Sequence, residues 1–208
     1  MSATRIAALV LATLATGLIA GVFYAYAISV MPALGRTDDR TIVDVMQKIN
    51  VVIINPWFML GFIGTIGFTA LAAALHLGRE QRTTLVVIGI ALVLNVIAFA
   101  VTSGLNVPLN DQLMAAGDPD RIADLAKVRA DFESSWVAWN IVRAILHTLA
   151  FLVLCGALFL AGVQHGRSER VAAQSVATGP AFGAQQNYTS PTGPQYGVPQ
   201  QSSQQHRP

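Results

Sequence analysis

Charge is what this chain has least of. Only 12% of its 208 residues are Asp, Glu, Lys or Arg, about half the share of an ordinary soluble domain, and 53% are hydrophobic. That excludes a water-soluble globule. With a net charge of +2 and no basic stripe, it also excludes nucleic acid as a partner. Cysteine is nearly missing, and Cys155 alone can build neither an internal disulfide nor a thiolate metal cage. The histidines stand apart at 76, 147, 165 and 206, and no acidic residue lies within an apolar run to join His147, so no metal site is expected. A phosphate-cradling loop and a nucleophile elbow are both absent, so no cofactor is expected. Any catalysis would rest on Arg, His, Asn and Tyr.

What the chain has in quantity is apolar length. Four runs, at residues 6–30, 56–77, 83–103 and 141–163, each reach the roughly 20 helical residues that cross a bilayer core. The expected fold is an all-α membrane protein, a four-transmembrane-helix bundle occupying residues 1–166. The first run follows Arg5 as a cleaved leader would. Its length and the Gly17/Gly21 spacing mark it instead as a retained span that packs closely.

Two short amphipathic helices are expected on one side of the bundle. The first covers Asp38 to Asn50, with Ile42, Val45, Met46 and Ile49 on one stripe. The second opens at Asp118-Pro119-Asp120 and carries Ile122, Leu125, Val128 and Phe132 on its apolar face. Lys127/Asp131 and Arg129/Glu133 lie four apart on its polar face. Met31-Pro32 should stop span one. Pro108 should hold Val107 extended, leaving Asn110 to cap a short helix that Gly117 ends. From Arg167 onward Gln, Ser, Gly, Pro and Ala dominate, so residues 167–208 read as a disordered tail that folding does not need.

Spans one and three must end on the side where spans two and four begin. Tyr24, Tyr26, Asn50, Asn55, Asn106, Asn110, Asn140, Arg143 and His147 all collect there, which places a candidate pocket at one mouth of the bundle. Arg5, Arg79, Arg82, Arg167 and Arg170 sit tight against span ends on the other side. The positive-inside rule then puts both termini in the cytoplasm and the mouth outside the cell membrane. Asn140, Arg143 and His147 share one face of span four, and ionisable groups in a span usually face the bundle interior. Plainer roles stay open: Arg143 snorkelling to the headgroups, His147 satisfied across the bundle, and Trp136 and Trp139 in the interfacial belt.

Five stretches carry a family resemblance: Gly21-Val-Phe-Tyr-Ala-Tyr26, Met31-Pro-Ala-Leu34, Met46-Gln-Lys-Ile-Asn50, Asn106-Val-Pro-Leu-Asn110 and Trp136-Val-Ala-Trp-Asn-Ile-Val-Arg143. Together they resemble the anthrone oxygenase-like membrane family over residues 10–160. The activity that names the family is the cofactor-free oxidation of anthrones to anthraquinones, found in a minority of members. Many members have histidine directly after the motif asparagine, where this chain has Ile141.

Two functions follow. In the first, the pocket binds a membrane lipid or another hydrophobic or aromatic small molecule, or the protein is a subunit of a membrane complex. Asn106, Asn110, Trp136, Trp139, Asn140, Tyr24 and Asn50 would then line the site or hold the mouth together. In the second, implied by the resemblance, Arg143 and His147 are catalytic in a cofactor-free oxygenase of anthrone-like or phenolic substrates. There His147 would take a proton, and Arg143 with Asn106 and Asn140 would hold the oxyanion.

Overall fold

The computed structural model describes residues 3–177. Among them there is no strand, and four helical stretches are long and apolar enough to cross a membrane: Ala3–Leu34, Pro56–Leu75, Arg79–Ala115 and Leu125–Ser175. The expected bundle is present.

Span one is built from α1 (Ala3–Ala25), a π-helical turn (Tyr26–Val30) and α2 (Met31–Leu34). Span three repeats that plan, with α5 (Arg82–Val101), a π-helical turn (Thr102–Asn106) and α6 (Val107–Ala115). Both prolines therefore act differently from the sequence expectation. Pro32 does not stop span one, and Val107 is helical at φ −61° and ψ −47° rather than extended. Proline lacks an N–H and its ring crowds the carbonyl of the preceding turn. The π turn widens the helix by one residue just before each ring, with Met31 N–H donating to Tyr26 O and Val107 N–H to Thr102 O. Asn110 consequently lies within α6 and is not its cap. Gly117 does follow the end of that helix, with a positive φ of 83° that suits glycine.

Between spans one and two, α3 (Asp39–Val52) starts where the Asp38 side chain accepts from Thr41 N–H. Its apolar stripe buries Ile42, Val43 and Met46 against Met31, Leu113, Phe132 and Trp136, so α3 caps the bundle. Gln47 ties it to α6, donating to Leu113 O at 2.8 Å and Gly117 O at 2.9 Å. Asn55 then caps α4 (Pro56–Leu75), accepting from Trp57 N–H and Phe58 N–H.

The second amphipathic segment begins later than its sequence suggests. Asp118 caps only a short 3₁₀ turn, Pro119–Arg121, after which Ile122 is extended. The long helix α7 starts at Leu125, with Asp124 accepting from Lys127 N–H, and runs unbroken to Ala177. Residues 167–177, expected to be disordered, are thus the last turns of α7. Their Arg, Glu, Ala and Gln favour helix without needing a core. The rest of the expected tail lies outside the described residues.

Arg129 is the clasp of this end. It donates from Nη1 to Thr37 O at 2.9 Å and to Asp39, from Nη2 to Gly35 O at 2.9 Å, and from Nε to Glu133 at 2.6 Å. At the far end the core is alanine-rich, with Ala12, Ala72, Ala91, Ala150 and Ala157 fully buried. Spans one and four approach closely at Gly17, where an added Cβ would lie 2.8 Å from the Phe151 ring.

Candidate functional site

Arg143 is 4% exposed, so its side chain does not snorkel to the surface. Its Nη2 donates to Asn140 Oδ1 at 3.0 Å, and Asn140 Nδ2 donates in turn to Phe23 O on α1, also at 3.0 Å. The guanidinium lies 4.2 Å from the Phe23 ring centroid and 5.4 Å from that of Trp136. These are cation–π distances. No carboxylate among the described residues pairs with it, and its Nε is enclosed without an acceptor.

The other mouth residues form a second chain of bonds. Asn106, fully buried at the end of the second π turn, donates to Trp136 O at 3.3 Å. Trp136 Nε1 donates to Asn110 Oδ1 at 2.7 Å. Neither Asn106 nor Asn110 reaches Arg143. The mouth residues thus form two chains that meet at Trp136.

Beside them opens a cavity of about 660 Å³. Phe23, Tyr26, Phe58, Phe62 and Trp136 give it aromatic walls, and Val51, Ile53, Ile54, Met59, Val107 and Met114 supply aliphatic ones. The polar lining is sparse: Asn50, Thr102, Asn110, Asp111, Asn140 and Arg143. Asn50 Nδ2 is buried with no acceptor. The volume is that of a site for a drug-sized molecule, and a mostly apolar lining with a few convergent polar groups is the usual character of such sites.

Of the residues singled out from sequence, Tyr24, Asn55, Asn106, Trp139 and His147 do not line this cavity. Tyr24 is 55% exposed and Trp139 is 36% exposed. Each helical residue turns about 100° from its neighbour, so Phe23 and Asn140 take the inward positions and these two face out. His147, placed in the site as a base, is instead one turn deeper. Its Nδ1 meets Asn95 Oδ1 at 3.1 Å, and its ring stacks on Phe23 at 5.5 Å.

Asn95 is the organiser, a residue to which the sequence reading gave no role. Its Nδ2 donates to Thr16 Oγ1 at 3.2 Å, Thr65 O at 3.1 Å and Thr69 Oγ1 at 3.4 Å. With His147 this layer draws on all four spans, and every side chain in it is fully buried. The signal was available: Asn95, Thr102 and Asn106 lie near one face of span three. Phe58, Phe62 and Asp111 also line the cavity and were not anticipated. Among the described residues, no group of three His, Cys, Asp or Glu side chains is placed to hold a metal ion.

Residues 56–153 match the family model described as anthrone oxygenase. That stretch holds Asn106, Asn110, Trp136, Asn140, Arg143 and His147, so the resemblance read from the sequence stands over the part that supplies most of the mouth. No curated protein and no solved structure gives a match to the chain.

Proposed function

We propose that this multi-pass membrane protein binds a hydrophobic small molecule in the mouth cavity. The observation that carries the reading is an aromatic-walled space of about 660 Å³ whose lining includes polar side chains with unmet hydrogen-bonding capacity. Buried polar groups left unpaired cost about 1–3 kcal/mol each, and a ligand that supplies acceptors removes that cost. Asn50, Asn110, Asn140, Arg143 and Trp136 are the binding residues in this reading. The distribution of arginines at span ends supports a mouth on the outer face of the cell membrane, with cytoplasmic termini.

A second reading is favoured by the family match: a cofactor-free oxygenase of anthrone-like or phenolic substrates. Arg143 would then stabilise the oxyanion that forms as the substrate loses its proton. His147 does not line the cavity, so the proton acceptor would be Asp111, the only carboxylate in the lining.

Titrating the purified protein in lipid nanodiscs with anthrone and 2-naphthol, read by quenching of tryptophan, tests both. Saturable quenching that Trp136→Phe diminishes supports the site, and a linear response equal in that variant refutes it. Oxygen uptake with anthrone that Asp111→Asn abolishes supports the enzyme. Binding without uptake removes that second reading.

A further inference from the structure

Three arginines contrast with Arg143. Outside the membrane Arg40, Arg121 and Arg129 each face a carboxylate: Asp120 at 2.6 Å, Asp118 at 3.6 Å, and Glu133 at 2.6 Å with Asp39 at 3.0 Å. Arg143, far more deeply buried, has none. Its hydrogen bond goes to one neutral amide, and its guanidinium lies over two aromatic faces. Guanidinium stays protonated under any ordinary condition, and a buried charge is normally paired. The side chain lines the cavity, and of its three nitrogens only Nη2 makes a hydrogen bond. What is missing is an anion, and the open space beside it is the cavity.

We propose that the cavity takes a hydrophobic monoanion: an apolar or aromatic body carrying one acidic oxygen group, bound with that group against Arg143. This deepens the binding reading above and rests on it. Asn50, whose Nδ2 also lacks an acceptor, offers the anion a second donor in the same lining. Phe58, Phe62 and Trp136 supply flat walls for the body. The lining also carries Asp111, an exposed carboxylate, which disfavours a second negative charge on the ligand. Val51, Ile54, Val107 and Met114 are cavity-lining and 63%, 73%, 41% and 41% exposed, so the opening is apolar and suits a molecule arriving from the bilayer. The same chemistry occurs in a free fatty acid, an aromatic acid or phenolate, and an anionic phospholipid.

The test uses the full chain in nanodiscs of phosphatidylcholine at neutral pH, with 1-pyrenebutyrate and its uncharged counterpart 1-pyrenebutanol as probes. Energy transfer from tryptophan to pyrene, corrected for empty discs, reads binding. The acid should bind wild type at least about tenfold more tightly than the alcohol, as a charge-assisted bond requires. Arg143→Gln should erase that preference while leaving alcohol binding in place. Equal affinities in wild type overturn the anion and leave the cavity as a hydrophobic site. Failure of both probes to bind overturns the binding reading itself. A preference that survives Arg143→Gln overturns the role of Arg143. If that variant does not fold, the wild-type ratio still decides. Competitors then separate the sources: displacement by oleate marks a single-chain acid, displacement by 2-naphthoate an aromatic one, and displacement only on adding phosphatidylglycerol to the discs a lipid headgroup.

Discussion

The bundle carries two buried polar layers made from similar residues, and they differ in completeness. In the middle of the membrane, Asn95, His147, Thr16, Thr65 and Thr69 close on one another, and only His147 Nε2 lacks a partner. At the mouth, one turn away along α7, Asn50 Nδ2, Asn106 Oδ1 and Arg143 Nε all lack partners. The mouth layer adjoins the cavity of about 660 Å³. A polar layer that satisfies itself holds helices together. A polar layer that leaves donors over beside an open space has the character of a binding site, which is the reading proposed above.

That contrast breaks most easily at its closed half. Asn95→Ala removes the donor to Thr16, Thr65 and Thr69 and the acceptor of His147 together. We expect a loss of about 2–3 kcal/mol, tempered because each threonine can bond back within its own helix. Unfolding in detergent should show it, while affinity for 1-pyrenebutanol should change by less than about threefold, which is under 1 kcal/mol. Unchanged stability, or lost binding, would reverse the assignment of the two layers.

Arg143→Lys probes the open half and should come next in size. A lysine keeps the charge but cannot hold Asn140 while lying flat between the rings of Phe23 and Trp136. A stability loss on the order of 1–2 kcal/mol is expected, against near-equal melting if the residue were only an interfacial anchor.

Trp136→Phe is milder. It keeps the ring and deletes the bond to Asn110 Oδ1, for about 1 kcal/mol. Faster amide exchange should appear in α6 (Val107–Ala115) and not in α5 (Arg82–Val101).

The smallest effect belongs outside the membrane. The hydrogen bond from Arg40, with its charge, holds the Asp120 carboxyl below its ordinary value. A lowered value means the contribution is complete above the ordinary carboxylate pKa of about 4 and is lost as pH falls through the lowered one. Asp120→Asn should therefore melt slightly earlier than wild type at neutral pH, with the gap closing in strong acid. A gap that persists there would mean that charge is not its source.

Much of this was legible in the chain. Length and hydropathy gave the spans, and the turn geometry forced the polar residues to one mouth whichever way the protein faces. Periodicity could not decide between Tyr24 and Phe23, because both are aromatic and only packing against α7 selects the inward one. Nor could it foresee that Pro32 and Pro108 sit inside continuous helices, since the compensating π turns leave no mark in composition. Asn95 was visible as polar but not as central, because its partners come from spans one, two and four. The cavity depends on how α3 and α6 lean over the bundle, a matter of tertiary contact that no local pattern contains.

The clasp at Arg129 has a consequence for how the protein is made. Its partners at Gly35, Thr37 and Asp39 leave the ribosome about ninety residues earlier. Asn140 reaches back farther still, to Phe23, a separation of 117 residues. The loop behind the first span must therefore wait, its carbonyls solvated, through the synthesis of two further spans. α7 then supplies Arg129 to the clasp, Asn140 to Phe23 and His147 to the middle layer. A chain stalled before residue 125 would keep the Asn95 and Gln47 ties among its first three spans but lack the clasp, the Asn140 link to Phe23 and the imidazole of the middle layer.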